Sequence, residues 1–312
     1  MKKINRQNST SFIEIAKKDF RINKSLYLLF LPVLIYYLVF NYAPLYGAII
    51  AFKNFSPAKG ILESDWVGFH HFIRFFSIPT FKTVIGNTLR ISISSIIYIF
   101  PMPIILALLM NELKSRTFAR LAQNATYLPH FISMVVICGI IKDFTRDTGL
   151  ITQFLSYFGV PKVTLLGVRE YFLPIYIVSG IWETIGWSSV IYLSALTGID
   201  SSLYEAASID GAGKFKQLIH VTLPGIAPTI ITMLILRVGQ VMSVGYEKIL
   251  LLSNDAILEA TDVISTYVYR VGLENNSYSY STAVNLLNSV INLILLLATN
   301  KLSRKLSDTS LW

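Results

Sequence analysis

Two charged side chains stand inside stretches of sequence that otherwise suit hydrocarbon. Glu183 falls in the apolar run 173–196 and Arg237 in the run 225–246. An ionised group facing lipid is costly, so such residues normally face protein or water inside a helix bundle. Counted from the expected outer ends of the two runs at 1.5 Å rise per residue, the carboxylate lies roughly 15 Å deep and the guanidinium roughly 14 Å deep. Opposite charges at one depth on consecutive segments can pair, which lowers their burial cost. Trp182, Trp187 and Gln240 lie close by in sequence. Together the five residues form a candidate solute cavity, in which Glu183 accepts hydroxyl hydrogens and Arg237 donates to oxygens. The same residues also suit a structural pair or a surface that meets a second subunit.

Catalytic patterns are missing. There is no G-x-x-x-x-G-K-[ST]: Gly213-Lys214 follows Ala212 and precedes Phe215, so no hydroxyl stands ready for Mg²⁺. There is no H-E-x-x-H, C-x-x-C or G-x-S-x-G. His70 and His71 are adjacent, so on a helix they diverge, and no cysteine nearby completes a metal set. The single cysteine, Cys138, lies in an apolar run and suits packing. Neither an enzyme nor a metal site is expected.

The elements that hold these residues are membrane-length helices. Hydrophobic residues make up 53% of the 312 and charged residues only 14%, against about 25% charged in soluble domains. Mean hydropathy is +0.56. The net charge of +9 does not imply nucleic acid, because the lysines and arginines sit beside apolar runs. Spans of about 20 residues are expected within 26–52, 84–111, 121–141, 173–196, 225–246 and 275–300. The first apolar run is too long for the core of a cleaved signal. Phe12, Ile13, Ile15, Ala16 and Phe20 suit an amphipathic helix on the membrane surface. Residues 53–82 suit a folded, membrane-hugging segment, and 142–169 and 247–274 suit loops of mixed charge. Six spans put both termini on one side. The tails, the 112–120 loop and the 201–224 loop carry Lys and Arg with few acids, which makes that side cytoplasmic.

Between the fourth and fifth spans lies a polar, helix-forming island at 204–224. Ser202 with Glu205 three residues on suits a capping box. Gly211 interrupts the helix, Phe215, Leu218 and Ile219 suggest a second short one, and Pro224 marks the change to the next apolar run. The island resembles the signature loop of binding-protein-dependent ABC importer permeases. That pattern is Glu-Ala-Ala, a glycine four residues after the second alanine, then hydrophobic-X-Leu-Pro. Glu205, Ala206, Ala207, Gly211, Val221, Leu223 and Pro224 stand at those places, and Asp210-Gly211-Ala212 is frequent in sugar permeases. Leu218 departs from the aromatic common there but keeps a large apolar side chain. Gly68, Phe69 and Phe72 also resemble a Gly-Phe-X-X-Phe step of such permeases.

The resemblance implies an all-α integral membrane protein with the six-helix type I ABC importer permease fold. It implies a cytoplasmic tail at 1–24, a permease domain at 25–301 containing the coupling loop 201–224, and a second tail at 302–312. Glu205, Ala206, Ala207, Asp210, Gly211, Phe215, Leu218 and Pro224 would couple to the ATPase. The partners implied are a second permease subunit, of which this chain resembles the longer member, two cytoplasmic ATPase subunits that hold ATP and Mg²⁺, and an extracellular or periplasmic solute-binding protein. No cofactor is implied in this chain, and its place is the bacterial cytoplasmic membrane. Alternating access of oligosaccharides is the implied activity. A non-sugar solute is the first competing possibility. An ion-coupled carrier is the second, and it calls for inverted broken-helix repeats that the sequence does not display.

Overall fold

The computed structural model describes residues 18–307 and 309–312, and most of the expected surface helix at 12–20 lies outside them. Helix α1 (Lys24–Tyr37) passes through a π turn (Leu38–Tyr42) into a 3-10 segment (Ala43–Phe52). Strands β1 (Lys53–Asn54) and β2 (Asp65–Trp66) pair antiparallel around α2 (Gly60–Glu63), and α3 (His70–Ser77) follows. Next come α4 (Thr80–Ser94), a π turn (Ser95–Ile99) and α5 (Pro101–Asn111). Then α6 (Arg116–Tyr127), α7 (Met134–Thr145) and α8 (Leu150–Ser156) lead to the long α9 (Arg169–Thr197). Beyond it lie α10 (Ser201–Ile209), α11 (Lys214–Gln217), a π turn (Leu218–Thr222) and α12 (Leu223–Val238). The chain closes with α13 (Tyr246–Leu252), α14 (Leu258–Thr261), α15 (Ile264–Tyr269) and α16 (Tyr278–Ser307).

Three prolines explain the three π turns named above. Each π turn ends two residues before Pro44, Pro101 or Pro224. Proline has no N–H, and its ring crowds the carbonyl four residues back. In each case the preceding residue donates five residues back instead: Ala43 to Leu38, Phe100 to Ser95, Leu223 to Leu218. The wider turn absorbs the proline and the helix continues. The second short helix expected at Phe215, Leu218 and Ile219 is therefore not separate from the apolar run beyond Pro224, and Lys214–Val238 is one rod of 25 residues.

Four rods are long and apolar enough to cross a membrane: Lys24–Phe52, Thr80–Asn111, Lys214–Val238 and Tyr278–Lys305. The expected third span at 121–141 is not straight. Thr117–Phe131 and Met134–Ser156 meet at 99°. Pro129 sits in a 3-10 turn there, and the extended Ile132 and Ser133 follow, Ser133 capping α7 through Val136 N. The expected fifth span also stops early, at Val238 rather than 246.

The segment 247–274 is not a solvated loop. Ile249, Leu252, Ile257, Val263, Ile264 and Tyr267 are all buried, packed on α3, α4, α7, α9 and α16. Three of its charges mislead because they are paired inside the protein, Lys248 among them: Asp262 pairs with Arg270, whose Nη1 lies 3.2 Å from Oδ1, and Thr266 Oγ1 donates to the same oxygen at 2.8 Å. Asn87 Nδ2 donates to the carbonyls of Glu259 (2.8 Å) and Asp262 (3.0 Å), and Thr88 Oγ1 accepts from Ile264 N (3.0 Å). The irregular stretch 239–245 is stapled similarly. Asn292 Oδ1 accepts from Met242 N at 3.0 Å, Ser265 Oγ donates to Val244 O at 3.2 Å, and Ser92 Oγ donates to Val241 O. Non-helical backbone at membrane depth persists only with such partners.

Helix α9 crosses α6 at Gly186, where a Cβ would lie 2.1 Å from Thr126 O. Small residues permit such close crossings. Gly186→Ala is expected to destabilise the purified protein by about 1–3 kcal/mol, since the obstacle is backbone. Gly139→Ala, which has open space around it, serves as the control. Thermal unfolding in detergent checks this, and equal midpoints for the two variants would contradict the close crossing.

Candidate solute cavity and docking loop

A cavity of about 540 Å³ opens between the second rod, α7, α9, α12 and α13, within the roughly 300–1,000 Å³ usual for small-molecule sites. Glu183, Trp187, Arg237 and Gln240 line it; Trp182 does not. The lining positions of α9 include 180, 183, 184, 187, 188 and 191, and Trp182 falls outside that stripe. Tyr176, Thr184, Ser188, Tyr192 and Lys248 line the cavity as well. Tyr176 follows from the helical repeat once Glu183 is placed, whereas Thr184, Ser188 and Tyr192 form a second row at i, i+4, i+8.

Lys248 is the residue that sequence reasoning missed, and it replaces Arg237 as the partner of Glu183. Its Nζ lies 2.9 Å from Glu183 Oε2, with the two side chains only 6% and 14% exposed. The ammonium also sits 5.4 Å from the centre of the Tyr176 ring, where the ring's negative face adds attraction. Arg237 was expected at mid-span because the fifth helix was carried to residue 246. The helix ends at Val238, so Arg237 lies in its last turn, and α13 returns into the protein to deliver Lys248. One signal was available, namely that Lys248 heads the run Ile249-Leu250-Leu251-Leu252, unusual company for a solvated lysine. Gly180, one turn before Glu183, leaves the room required; a Cβ there would be 2.8 Å from Ile99 Cδ1 and 3.6 Å from Lys248 Nζ. Arg237 is exposed, and among the described residues it has no carboxylate partner.

Trp187 is held by the bend in the third segment. His130 stacks on it at 4.8 Å and 9°, and Phe131 meets it edge-on at 5.8 Å. His71 is remote from the cavity. It is buried, with Nε2 at 3.1 Å from Lys53 O and Nδ1 unpartnered, and burial pushes its imidazole below the ordinary range.

The loop 201–224 is a helix, a glycine bend and the start of a rod. The cap of α10 is Asp200 rather than Ser202. Its Oδ1 accepts from Ser202 N at 2.9 Å, and that bond holds the Asp200 carboxyl below the ordinary carboxylate range. Glu205 is thus left out of the cap and is exposed. Gly211, at φ +73°, takes the left-handed conformation that ends the helix. Ala212 N donates to Ala207 O (2.9 Å) and Gly211 N to Ser208 O (3.1 Å), the pair of bonds of a Schellman stop. The arms are clamped by Gln217 Nε2 on Ser208 Oγ (2.9 Å) and by Tyr204 OH with Thr222 Oγ1 (3.0 Å). Glu205, Ala206, Asp210, Gly211, Phe215 and Pro224 are exposed, whereas Ala207 and Leu218 are half-buried. Phe215 is 72% exposed, and Ile209, which sequence reasoning passed over, is 86% exposed. Lys214 reaches Glu112 at the end of α5, at 3.1 Å.

Residues 99–308 match the family of binding-protein-dependent transport system inner membrane components. The polygalacturonan/rhamnogalacturonan transport system permease protein YteP of Bacillus subtilis (strain 168) is 42% identical over 290 residues, covering 93% of this chain and 90% of that protein. Protein LplB of the same organism is 39% identical over 303 residues, covering 97% and 94%. A chain of a bacterial alginate ABC transporter, solved in complex with its alginate pentasaccharide-bound periplasmic protein, superposes with a TM-score of 0.86 at 39% identity. The match covers 94% of this chain and 99% of that one.

The ion pair predicts a double-mutant cycle. Glu183→Gln or Lys248→Met alone strands a buried charge and is expected to cost about 3–5 kcal/mol. The double variant is expected to be less damaged than the sum of the two. Detergent unfolding midpoints check this, and additive losses would mean that the two side chains do not act as a pair.

Proposed function

Because the chain belongs to the binding-protein-dependent transport system inner membrane components, we propose that it crosses the membrane six times and passes oligosaccharides inward through the cavity between α9, α12 and α13. Four rods and the bent α6–α8 segment supply five crossings. The sixth is α9, whose 29 residues extend about 44 Å, ample for a hydrocarbon core of about 30 Å. Its hydropathy is diluted by the polar groups it turns toward the cavity. Basic residues put both tails and the 201–224 loop in the cytoplasm, with the permease domain at 25–301 between them. The location is the bacterial cytoplasmic membrane.

One observation carries the mechanism. The rod Lys214–Val238 begins in the glycine-bent loop and ends with Arg237 at the cavity. A push on one end is delivered to the other without an intervening hinge loop. The exposed Ile209 and Phe215 are apolar surface for an ATPase to cover, and Glu205, Ala206, Asp210 and Gly211 lie beside them. Two ATPase subunits hydrolyse the ATP and hold its Mg²⁺. A second permease subunit closes the open side of the cavity, and an external binding protein delivers the solute. The oligosaccharide assignment is supported by the named substrates of the relatives and by the cavity's mixture of aromatic, hydroxyl and charged groups.

Gly211→Val forces a β-branched residue into left-handed backbone, and Glu205→Lys reverses a charge on the docking face. Both variants are expected to insert at normal levels and to lose most ATP-driven uptake in vesicles carrying the complete importer. Wild-type uptake in both, with ATPase subunits still bound, would remove the coupling role. A cysteine at position 205 should react with a membrane-impermeant maleimide only from the cytoplasmic face; labelling from outside would invert the topology. The ligand retained by the cognate binding protein separates a sugar from a non-sugar solute.

A further inference from the structure

We propose that Arg237 is a carboxylate subsite, which makes the transport cavity selective for acidic, uronate-bearing oligosaccharides over neutral ones. This rests on the oligosaccharide assignment above and adds the charge of the substrate to it.

Three charged side chains, Glu183, Lys248 and Arg237, line the cavity. Glu183 and Lys248 are committed to each other at 2.9 Å and are nearly closed to solvent. Their charges cancel, and Glu183 is not free to neutralise Arg237. The guanidinium remains, exposed at the cavity wall in the last turn of α12, so the cavity carries a net single positive charge. Gln240 lies one turn further on and lines the same wall, a neutral donor and acceptor that does not compensate it.

An exposed cation in a space that becomes enclosed during transport must be matched or it opposes closure. A sugar carboxylate matches it in charge and in shape, since the planar guanidinium fork donates two parallel hydrogen bonds to a carboxylate. A neutral sugar offers only hydroxyls and leaves the charge unbalanced. Discrimination arises twice over, from pairing with the acid and from an unpaired charge when the ester or neutral sugar enters. The paired Lys248 does not add a second cation that would hold the acid too tightly for release.

The test separates the permease from its binding protein. Purified importer in nanodiscs, without the binding protein, is titrated with trigalacturonide and with its fully methyl-esterified form, which has the same rings and no charge. The wild type is expected to bind the acid at least about tenfold more tightly than the ester. Arg237→Gln is expected to abolish that preference by weakening acid binding about tenfold while leaving ester binding unchanged. Arg237→Lys keeps the charge but not the fork, and is expected to fall between. It also serves as the readout if the glutamine variant does not assemble. Equal wild-type affinity for acid and ester overturns the proposal while leaving the oligosaccharide assignment standing, and is the result expected if a carboxylate of the second permease subunit already neutralises Arg237. A preference unchanged in both variants likewise overturns it. Binding of neither compound overturns the proposal together with the oligosaccharide assignment.

Discussion

Every peptide group that leaves a helix inside an apolar slab must find another partner, because no water is there to take it. Much of this protein's architecture is a response to that constraint. At Pro44, Pro101 and Pro224 the response is local: the preceding N–H reaches five residues back and the helix runs on. At 239–245 the backbone is irregular, and the response comes from other elements through Ser92, Ser265 and Asn292. Breaking the helix there is what lets α13 turn back into the protein. The staples are thus the condition for having a lysine in the cavity wall.

The buried Glu183–Lys248 pair follows from this geometry and in turn fixes it. Removing two charges from water is expensive, and their attraction offsets the expense only with close contact and further stabilisation of the ions. The contact is 2.9 Å, and the Tyr176 ring supports the ammonium. Gly180 keeps the path clear, since any side chain there would press on Ile99 and approach Lys248. The pair ties α9 to α13 across a distance of 65 residues in the chain. It leaves Arg237 as the cavity's one unmatched charge among the described residues.

Loop and cavity lie at the two ends of one continuous helix. The Schellman stop at Gly211 gives α10 a defined end, and Gln217 and Tyr204 clamp the two arms of the bend. The second arm is the beginning of the rod that carries Arg237. The bend is held by these bonds, and the apolar side chains of Ile209 and Phe215 are left exposed at its tip.

By itself the sequence determined whatever depends on short-range chemistry. Hydropathy located the long rods, because one run of side chains either suits hydrocarbon or does not. Glu205-Ala206-Ala207 with Gly211 located the loop, because helix, left-handed stop and rod are set by neighbours a few residues apart. Helical repeat brought Glu183 and Trp187 to one wall. Finer local features were misjudged: Asp200, one residue before α10, is its cap in place of Ser202, and the second short helix after Gly211 is the start of the rod Lys214–Val238. Only the tertiary structure decided that the segment 247–274 is core. Its charges read as solvated until Asp262 is seen on Arg270 and Lys248 on Glu183. It alone decided the 99° bend at Pro129, since a proline in sequence is compatible with a continuing helix, a kink or a stop, and the early end of the expected fifth span at Val238, where no proline stands. At that early end the freed backbone groups of 239–245 are met by Ser92, Asn292 and Ser265, which stand 149, 50 and 21 residues away in the chain and so outside any short window of sequence.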